Sequence, residues 1–183
     1  MKQVLTILSI LFVLAACSNA GKYADQINEL ASRWDSTTSA ITDFAGTVSN
    51  TQASWLSEVN TMKVSEETMA GWSEEMKAKY NELMAAVNNN TSNLSGLSSE
   101  LDGFISQWTE KSEELKALKE GLASGKLGDN VEEKISELTS LANTGAANLE
   151  TWQSKFSEIN AAIANTKQMF ADLGVSGGSE TSR

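Results

Sequence analysis

Apolar side chains recur at alternating intervals of three and four residues along almost the whole chain that follows residue 22. On an α-helix this spacing places them on one face, and a pattern sustained over many turns is typical of coiled-coil-like packing. No stretch alternates with a period of two for long enough to indicate a β-strand. The pattern therefore predicts an all-α protein, an elongated antiparallel bundle of long helices with coiled-coil-like seams.

Capping residues and glycines predict where these helices begin and end. Ser65 is followed by two glutamates, which is the pattern of an N-cap with an acidic first turn. Gly125 and Gly128 mark a second turn, and Asp129 precedes Glu132 at the spacing of a capping box. The predicted organisation is three helices at 22–62, 65–123 and 129–173 in a bundle domain, 22–173, and then a disordered Gly/Ser-rich tail, 174–183.

The middle of the second predicted helix contains a run of poor helix formers from Asn88 to Asn93. The three-four spacing nevertheless keeps its phase through this run, from Val87 through Asn90 to Leu94. This continuity favours one long helix and hence a bundle of three helices. The alternative is a bundle of four helices, in which this helix breaks near 88–95.

All aromatic residues after residue 22 fall on the apolar seam, which indicates either a packed core or an aromatic-lined cavity for an apolar ligand. We favour the core, because Trp and Phe at helical spacing are typical of one. The same placement leaves no exposed aromatic platform for single-stranded nucleic acid. Trp55 and Trp72 lie at equal distances from the turn predicted at 63–64, so we expect them to pack together. The aromatic seam residues are Tyr23, Trp34, Phe44, Trp55, Trp72, Tyr80, Phe104, Trp108, Trp152, Phe156 and Phe170.

A few polar residues interrupt the seam. A single Asn or Lys at such a position commonly fixes the register of the helices, unless the helix rolls locally and turns that side chain toward water. Both interpretations stay open for Asn90, whereas Lys111 and Glu58 are expected to face water. The other interruptions are Thr37, Thr51 and Thr166.

The first 17 residues have the pattern of a targeting signal. A positive charge at Lys2 precedes an apolar stretch, Val4 to Leu14, that is too short to span a membrane. The following Leu14-Ala15-Ala16-Cys17 resembles the lipobox of bacterial lipoproteins. The resemblance implies removal of residues 1–16 and attachment of acyl chains, palmitate among them, to Cys17, with 17–21 as anchor and linker. The alternative is an ordinary secretory signal in which Cys17 is incidental.

A second resemblance is confined to the residues next to the predicted cleavage site. Cys17-Ser18-Asn19-Ala20 and the later stretch Asp25 to Leu30 are similar to the opening of the murein lipoprotein of enteric bacteria. That family is much shorter, contains no Trp and ends in a Lys that is linked to peptidoglycan. This chain ends in Arg183, so the resemblance implies only a lipid-anchored helical rod.

Composition narrows the possible chemistry. The 183 residues carry a formal net charge of −10 and include no His and one Cys. Without His there is no imidazole base and no His-ligated metal, and a lipidated Cys17 cannot act in redox chemistry. Adjacent glutamates such as Glu74 and Glu75 point about 100° apart on a helix and suit a solvated face. We therefore expect no enzymatic activity, no cofactor and no metal. The acidic balance also argues against a nucleic-acid partner.

These features predict a protein of the bacterial cell envelope, held to the membrane through lipidated Cys17. In the enteric lipoproteins that this lipobox resembles, an Asp after the Cys retains the protein in the inner membrane. The resemblance therefore implies the outer membrane for a chain with Ser18 at that position, while the periplasmic or surface face stays open. The expected role is structural, scaffolding or protein interaction, with a protein partner or self-association. The alternative is a carrier that binds a lipid or another apolar ligand between its helices.

Overall fold

The computed structural model describes residues 20–174 and is entirely helical over that range, with no β-strand among the described residues. The prediction of an all-α protein is thus confirmed. Its helices are α1 (Ala20–Thr61), α2 (Glu66–Ala70), α3 (Glu74–Ser124) and α4 (Val131–Asp172). Residues 1–19, including Cys17, and the tail from 175 onward lie outside the described residues. The predicted linker nevertheless loses its last two residues, because α1 begins at Ala20.

The described residues form four helices, and the prediction of three is not confirmed. The break expected near 88–95 does not supply the fourth, because α3 runs unbroken through this stretch. Asn90 and Leu94 are 2% and 0% exposed, and the free energy of burying this seam outweighs the poor propensity of the asparagines.

The extra helix arises instead because α2 is only five residues long. The hydroxyl of Ser65 accepts a hydrogen bond from the backbone N–H of Thr68 at 3.2 Å, so the predicted N-cap is confirmed. The chain leaves the helix at Gly71, and Ser73 then caps α3 by accepting from the N–H of Met76 at 3.3 Å. The sequence Ser-Glu-Glu occurs on both sides of this connection, at 65–67 and at 73–75, and again at 112–114 within α3; the prediction rested on the copy at 65–67 alone.

The turn between α3 and α4 also differs in detail from the prediction. Gly125 adopts a left-handed conformation with φ 67°, and its backbone N–H bonds to the carbonyl oxygens of Gly121 and Leu122. The N-cap of α4 is Asn130, with φ 60° and no side-chain capping bond, rather than Asp129. Asn tolerates this backbone region better than most residues, and α4 consequently starts at Val131 instead of 129.

Contacts between the long helices give their directions. Hydrogen bonds join Trp34 to Ser112 and Trp55 to Thr91, so α1 and α3 are antiparallel. Asn90 contacts Thr166 and Lys111 contacts Glu137, so α3 and α4 are antiparallel. Arg33 contacts Asn143 and Glu58 contacts Lys167, so α1 and α4 are parallel. With 42 residues and a rise of 1.5 Å each, α1 alone is about 60 Å long. We call the end that contains the α3–α4 turn the Gly125 end and the opposite one the Trp72 end.

The expected pairing of Trp55 with Trp72 is wrong. The indole of Trp55 lies beside Thr91 on α3, whereas Trp72 packs edge-on against Tyr80 with ring centroids 5.4 Å apart. The residues that cross the Trp72 end delay the start of α3 to Glu74. The register of α3 against α1 is therefore shifted, and the layers do not mirror each other about the predicted turn.

Candidate functional site

The predicted lipidation site, Cys17, falls outside the described residues. The candidate features that the structure does describe are a tryptophan cluster in the middle of the bundle, a few polar groups at the seam, and open grooves between the helices. Each is built from residues that the three-four pattern places on the inner faces or flanks of the long helices.

The cluster centres on Trp34 of α1 and Trp108 of α3. Their rings stack with centroids 3.7 Å apart and an interplanar angle of 18°, and they are 3% and 4% exposed. Phe104 lies beside Trp108 at 5.7 Å and meets the ring of Trp152 from α4 edge-on at 5.4 Å. The aromatic seam residues in the middle of the bundle thus form part of a packed core, which was the favoured interpretation of the aromatic seam.

The two stacked indoles are linked by reciprocal hydrogen bonds between α1 and α3. Trp34 donates from Nε1 to Ser112 at 3.0 Å, and Trp108 donates from Nε1 to Thr38 at 2.8 Å. Ser112 lies four residues after Trp108, and Thr38 lies four residues after Trp34. Each of these two hydroxyls also donates to the backbone carbonyl of the Trp that precedes it on its own helix. Both polar N–H groups are thereby satisfied in a buried site, as buried indoles require. The sequence signal for this arrangement is Trp-x-x-x-Thr at 34–38 and Trp-x-x-x-Ser at 108–112, and the three-four pattern of apolar residues does not detect it.

Gly145 allows its own helix, α4, to approach this cluster closely. A Cβ atom there would lie 3.0 Å from Trp108, 3.1 Å from Thr37 and 3.2 Å from Phe104. These separations are shorter than ordinary van der Waals contact. A larger residue at 145 would therefore overlap with the side chains of the cluster. The glycine therefore serves close packing and not flexibility.

The polar seam positions divide as the local packing dictates. Asn90 is buried and donates from its amide to the hydroxyl of Thr166 at 2.9 Å, which resolves the open alternative in favour of a buried contact between α3 and α4. A buried pair of this kind is satisfied only in one register. Lys111 and Glu58 are partly exposed and form ion pairs with Glu114 and Lys167, so the expectation that they face water is confirmed.

Glu100 connects the tryptophan cluster to the surface. Its carboxylate accepts hydrogen bonds from Lys155 Nζ at 2.7 Å and from Trp152 Nε1 at 3.2 Å. The bond from Lys155 is the main reason why the pKa of Glu100 lies below that of an ordinary glutamate, and the bond from Trp152 adds to it, whereas partial burial opposes it. About half of each charged side chain is exposed, 48% for Glu100 and 46% for Lys155.

This lowered pKa predicts a pH-dependent effect of Glu100→Gln. Because the folded-state pKa lies below the unfolded one, the carboxylate stabilises the fold above its unfolded pKa and loses that effect as the pH falls through the folded pKa. We expect Glu100→Gln to cost less than about 1 kcal/mol near neutral pH, since the pair is half exposed, and the difference from wild type to disappear in acid. Urea unfolding across this pH range measures it.

The matched control is Glu150→Gln, which alters an exposed carboxylate that forms no ion pair with the described residues. Its effect on stability near neutral pH should be smaller, because the change removes no ion pair seen among the described residues. A Glu100→Gln deficit that persisted unchanged in acid would mean that the charge of Glu100 is not what stabilises this contact.

Two grooves flank Glu100 and Lys155 between α3 and α4, with volumes of about 630 and 460 Å³. A third, of about 350 Å³, lies between α1 and α4 near the Gly125 end. All three are open to solvent and lined by a mixture of polar and apolar side chains, including Gln26, Asn93, Glu100, Asn148 and Glu158. Such lining contrasts with the mostly apolar, concave sites that hold small ligands.

The charged side chains that the structure describes form no metal-binding arrangement. Within residues 20–174, no group of three or more His, Cys, Asp or Glu side chains is placed to hold a metal ion. The adjacent residues Glu74 and Glu75 lie at exposed positions, and each of these two carboxylates pairs with a lysine of its own helix. The pKa of each is lowered mainly by the hydrogen bond from that lysine.

Comparison with known proteins found no matching family model, no matching curated protein and no matching solved structure. None of the helices in the described range has the length and apolarity needed to cross a bilayer.

Proposed function

We propose that this protein is a lipid-anchored rod of the bacterial cell envelope with a structural, scaffolding or protein-interaction role, and not an enzyme. The observation that carries the proposal is the combination of the lipobox-like Leu14 to Cys17 with a long bundle whose inner faces are filled by side chains. A filled core leaves the outer faces of the helices as the part of the molecule that can contact a partner.

The anchor would define how the rod is placed. Cys17 precedes the start of α1 by only three residues, so acyl chains on its sulfur and amino group would hold the Gly125 end close to the bilayer. The Trp72 end would then lie up to about 60 Å away along α1. The formal charge of −10 disfavours contact of the body with an anionic lipid surface. The outer membrane is the membrane we propose, because Ser18 follows the Cys.

The bundle is well suited to act as a spacer or scaffold. Three long helices share one continuous core, and polar bonds such as Asn90 to Thr166 and Trp55 to Thr91 fix their register. A fixed register resists sliding of one helix along another, because a slip leaves buried polar atoms without partners. A partner that binds at one end would therefore be held at a defined distance from the other.

Cys17→Ser tests the anchor. We expect the full chain carrying this change to leave the membrane fraction and to lose incorporation of labelled palmitate, because a serine hydroxyl does not accept the thioether-linked lipid. Cell fractionation and metabolic labelling measure the two effects. Ser18→Ala is the matched control, since it leaves the thiol in place and should stay with the membrane. A Cys17→Ser protein that sediments with membranes like wild type would refute the anchor.

The role itself is tested by chemical cross-linking of the anchored protein in intact cells, followed by identification of the cross-linked species. Recovery of a defined protein partner or of a second copy supports scaffolding or interaction. A lipid that copurifies in a fixed ratio with the Cys17→Ser protein, which carries no acyl anchor of its own, would instead support the carrier function.

A further inference from the structure

The Trp72 end of the bundle contains all five methionines of the described residues. They are Met62, Met69, Met76, Met84 and Met169, and the sixth methionine of the chain is Met1, which lies outside this range. The first three lie seven residues apart across the connection from α1 to α3, and Met169 is in the last turn of α4. Such a concentration of thioethers at one end is not needed to fill the core, because Leu, Ile and Trp fill it elsewhere.

The thioethers differ in their access to solvent. Met62 is 3% exposed and belongs to the buried core. The other four, Met69, Met76, Met84 and Met169, are partly buried and pack against that core from its end. Four of the five methionine side chains are therefore in partial contact with solvent, where a small, water-soluble oxidant can approach them without unfolding of the bundle.

Met62 and Met69 also take part in the contacts of the segment that closes this end, residues 63–73. The carbonyl of Met69 accepts a hydrogen bond from the N–H of Trp72 at 3.1 Å, and the carbonyl of Met62 accepts one from the Tyr80 hydroxyl at 3.4 Å. That hydroxyl also accepts from the N–H of Val64 at 3.1 Å. The helix within the segment, α2, has no buried residue, so the segment is attached through the partly buried side chains of Val64, Met69 and Trp72.

We propose that the methionines of the Trp72 end form a peroxide-reactive site, and that oxidation of Met69 and Met76 releases residues 63–73 from the bundle while its middle stays folded. In the reaction the thioether sulfur attacks hydrogen peroxide and the O–O bond breaks. One oxygen becomes the sulfoxide and the other leaves as water, so the sulfur loses two electrons and the peroxide gains them. A sulfoxide is polar, and its burial against the apolar core at this end of the bundle is unfavourable.

Release should be local because the stability of the molecule is not uniform. The segment 63–73 contributes few buried side chains, whereas the cluster of Trp34 and Trp108 lies several helical turns away and contains no methionine. Segments with few buried contacts open at a low free-energy cost and independently of the core.

Graded treatment of the full chain with hydrogen peroxide, followed by peptide mass spectrometry, tests the first half of the proposal. We expect Met69, Met76, Met84 and Met169 to become sulfoxides. Met62 should react at about one tenth of their rate or below, because its side chain is reached only when the end of the bundle opens. Equal rates at Met62 and Met69 would overturn the ordering and with it the site.

Hydrogen exchange tests the second half. After oxidation the backbone amides of 63–73 should exchange about tenfold faster or more, while those around Trp34 and Trp108 keep their protection. The variant Met69→Leu/Met76→Leu keeps apolar side chains of similar volume, and peroxide should leave its segment 63–73 protected. Unchanged exchange of this segment in the oxidised wild type, or equal loss of protection in the variant, would show that these two sulfurs do not control it.

Discussion

Trp108→Ala should lower the free energy of unfolding by about 3–5 kcal/mol, the usual cost of removing a buried aromatic side chain. Trp108 is 4% exposed, stacks on Trp34 at 3.7 Å and packs against Phe104. Its removal also leaves the hydroxyl of Thr38 without its indole donor. For a chain of this size we expect the melting temperature to fall by about 10 °C or more, measured by circular dichroism.

Trp72→Ala is the matched control, because the same side chain is removed at a partly exposed position with one aromatic neighbour. It should cost about half as much or less, since less area returns to water. The double variant Trp34→Ala/Trp108→Ala should lose less than the sum of the two single variants, because the stack is already broken by the first change. Equal losses for Trp72→Ala and Trp108→Ala would refute the central role of the stacked pair.

Gly145→Val should be the second most damaging of these changes, although valine forms helix better than glycine does. Even a Cβ at this position would lie 3.0 to 3.2 Å from atoms of Trp108, Thr37 and Phe104, and the two methyl groups of valine extend further. Overpacking of a tight core typically costs 1–3 kcal/mol and occasionally more. We expect a loss in that range by urea unfolding, with the helical content retained.

Gly103→Val provides the comparison, because a Cβ at Gly103 meets no atom within 4 Å and the residue is exposed in the middle of α3. There the helix propensity acts alone, and the change should be neutral or stabilising by a few tenths of a kcal/mol. A stabilising Gly145→Val would mean that α4 does not approach the tryptophan cluster as closely as the structure indicates.

The sequence was most informative where the signal is local. The three-four spacing of apolar residues identified the helical class and the inner face of each long helix, because burial of a helix face depends on the periodicity of that helix alone. The same spacing correctly predicted that α3 continues without a break through Asn88 to Asn93. The N-cap at Ser65 was also readable, since capping depends on the residues within one turn.

The predicted helix starts were wrong or incomplete where two local signals competed. Ser65 and Ser73 each cap a helix, and the helix that follows Ser65 ends at Ala70 after only five residues. At the other turn, Asp129 had the spacing of a capping box, yet the left-handed Asn130 precedes the first turn of α4. In both places several residues could cap, and the choice between them depends on how the connection must cross the end of the bundle.

The sequence by itself thus determined that this chain is a set of long amphipathic helices, and it supplied the lipobox-like Leu14 to Cys17 on which the proposed anchor rests. Only the tertiary structure decided which residues meet. Trp55 lies beside Thr91 rather than Trp72, Trp34 stacks on Trp108, and Asn90 bonds to Thr166. The physical reason is that a periodic seam fits itself equally well at several offsets of a heptad. The length of the connection at 62–73, the space at Gly145 and the pairing of buried polar groups select one of them.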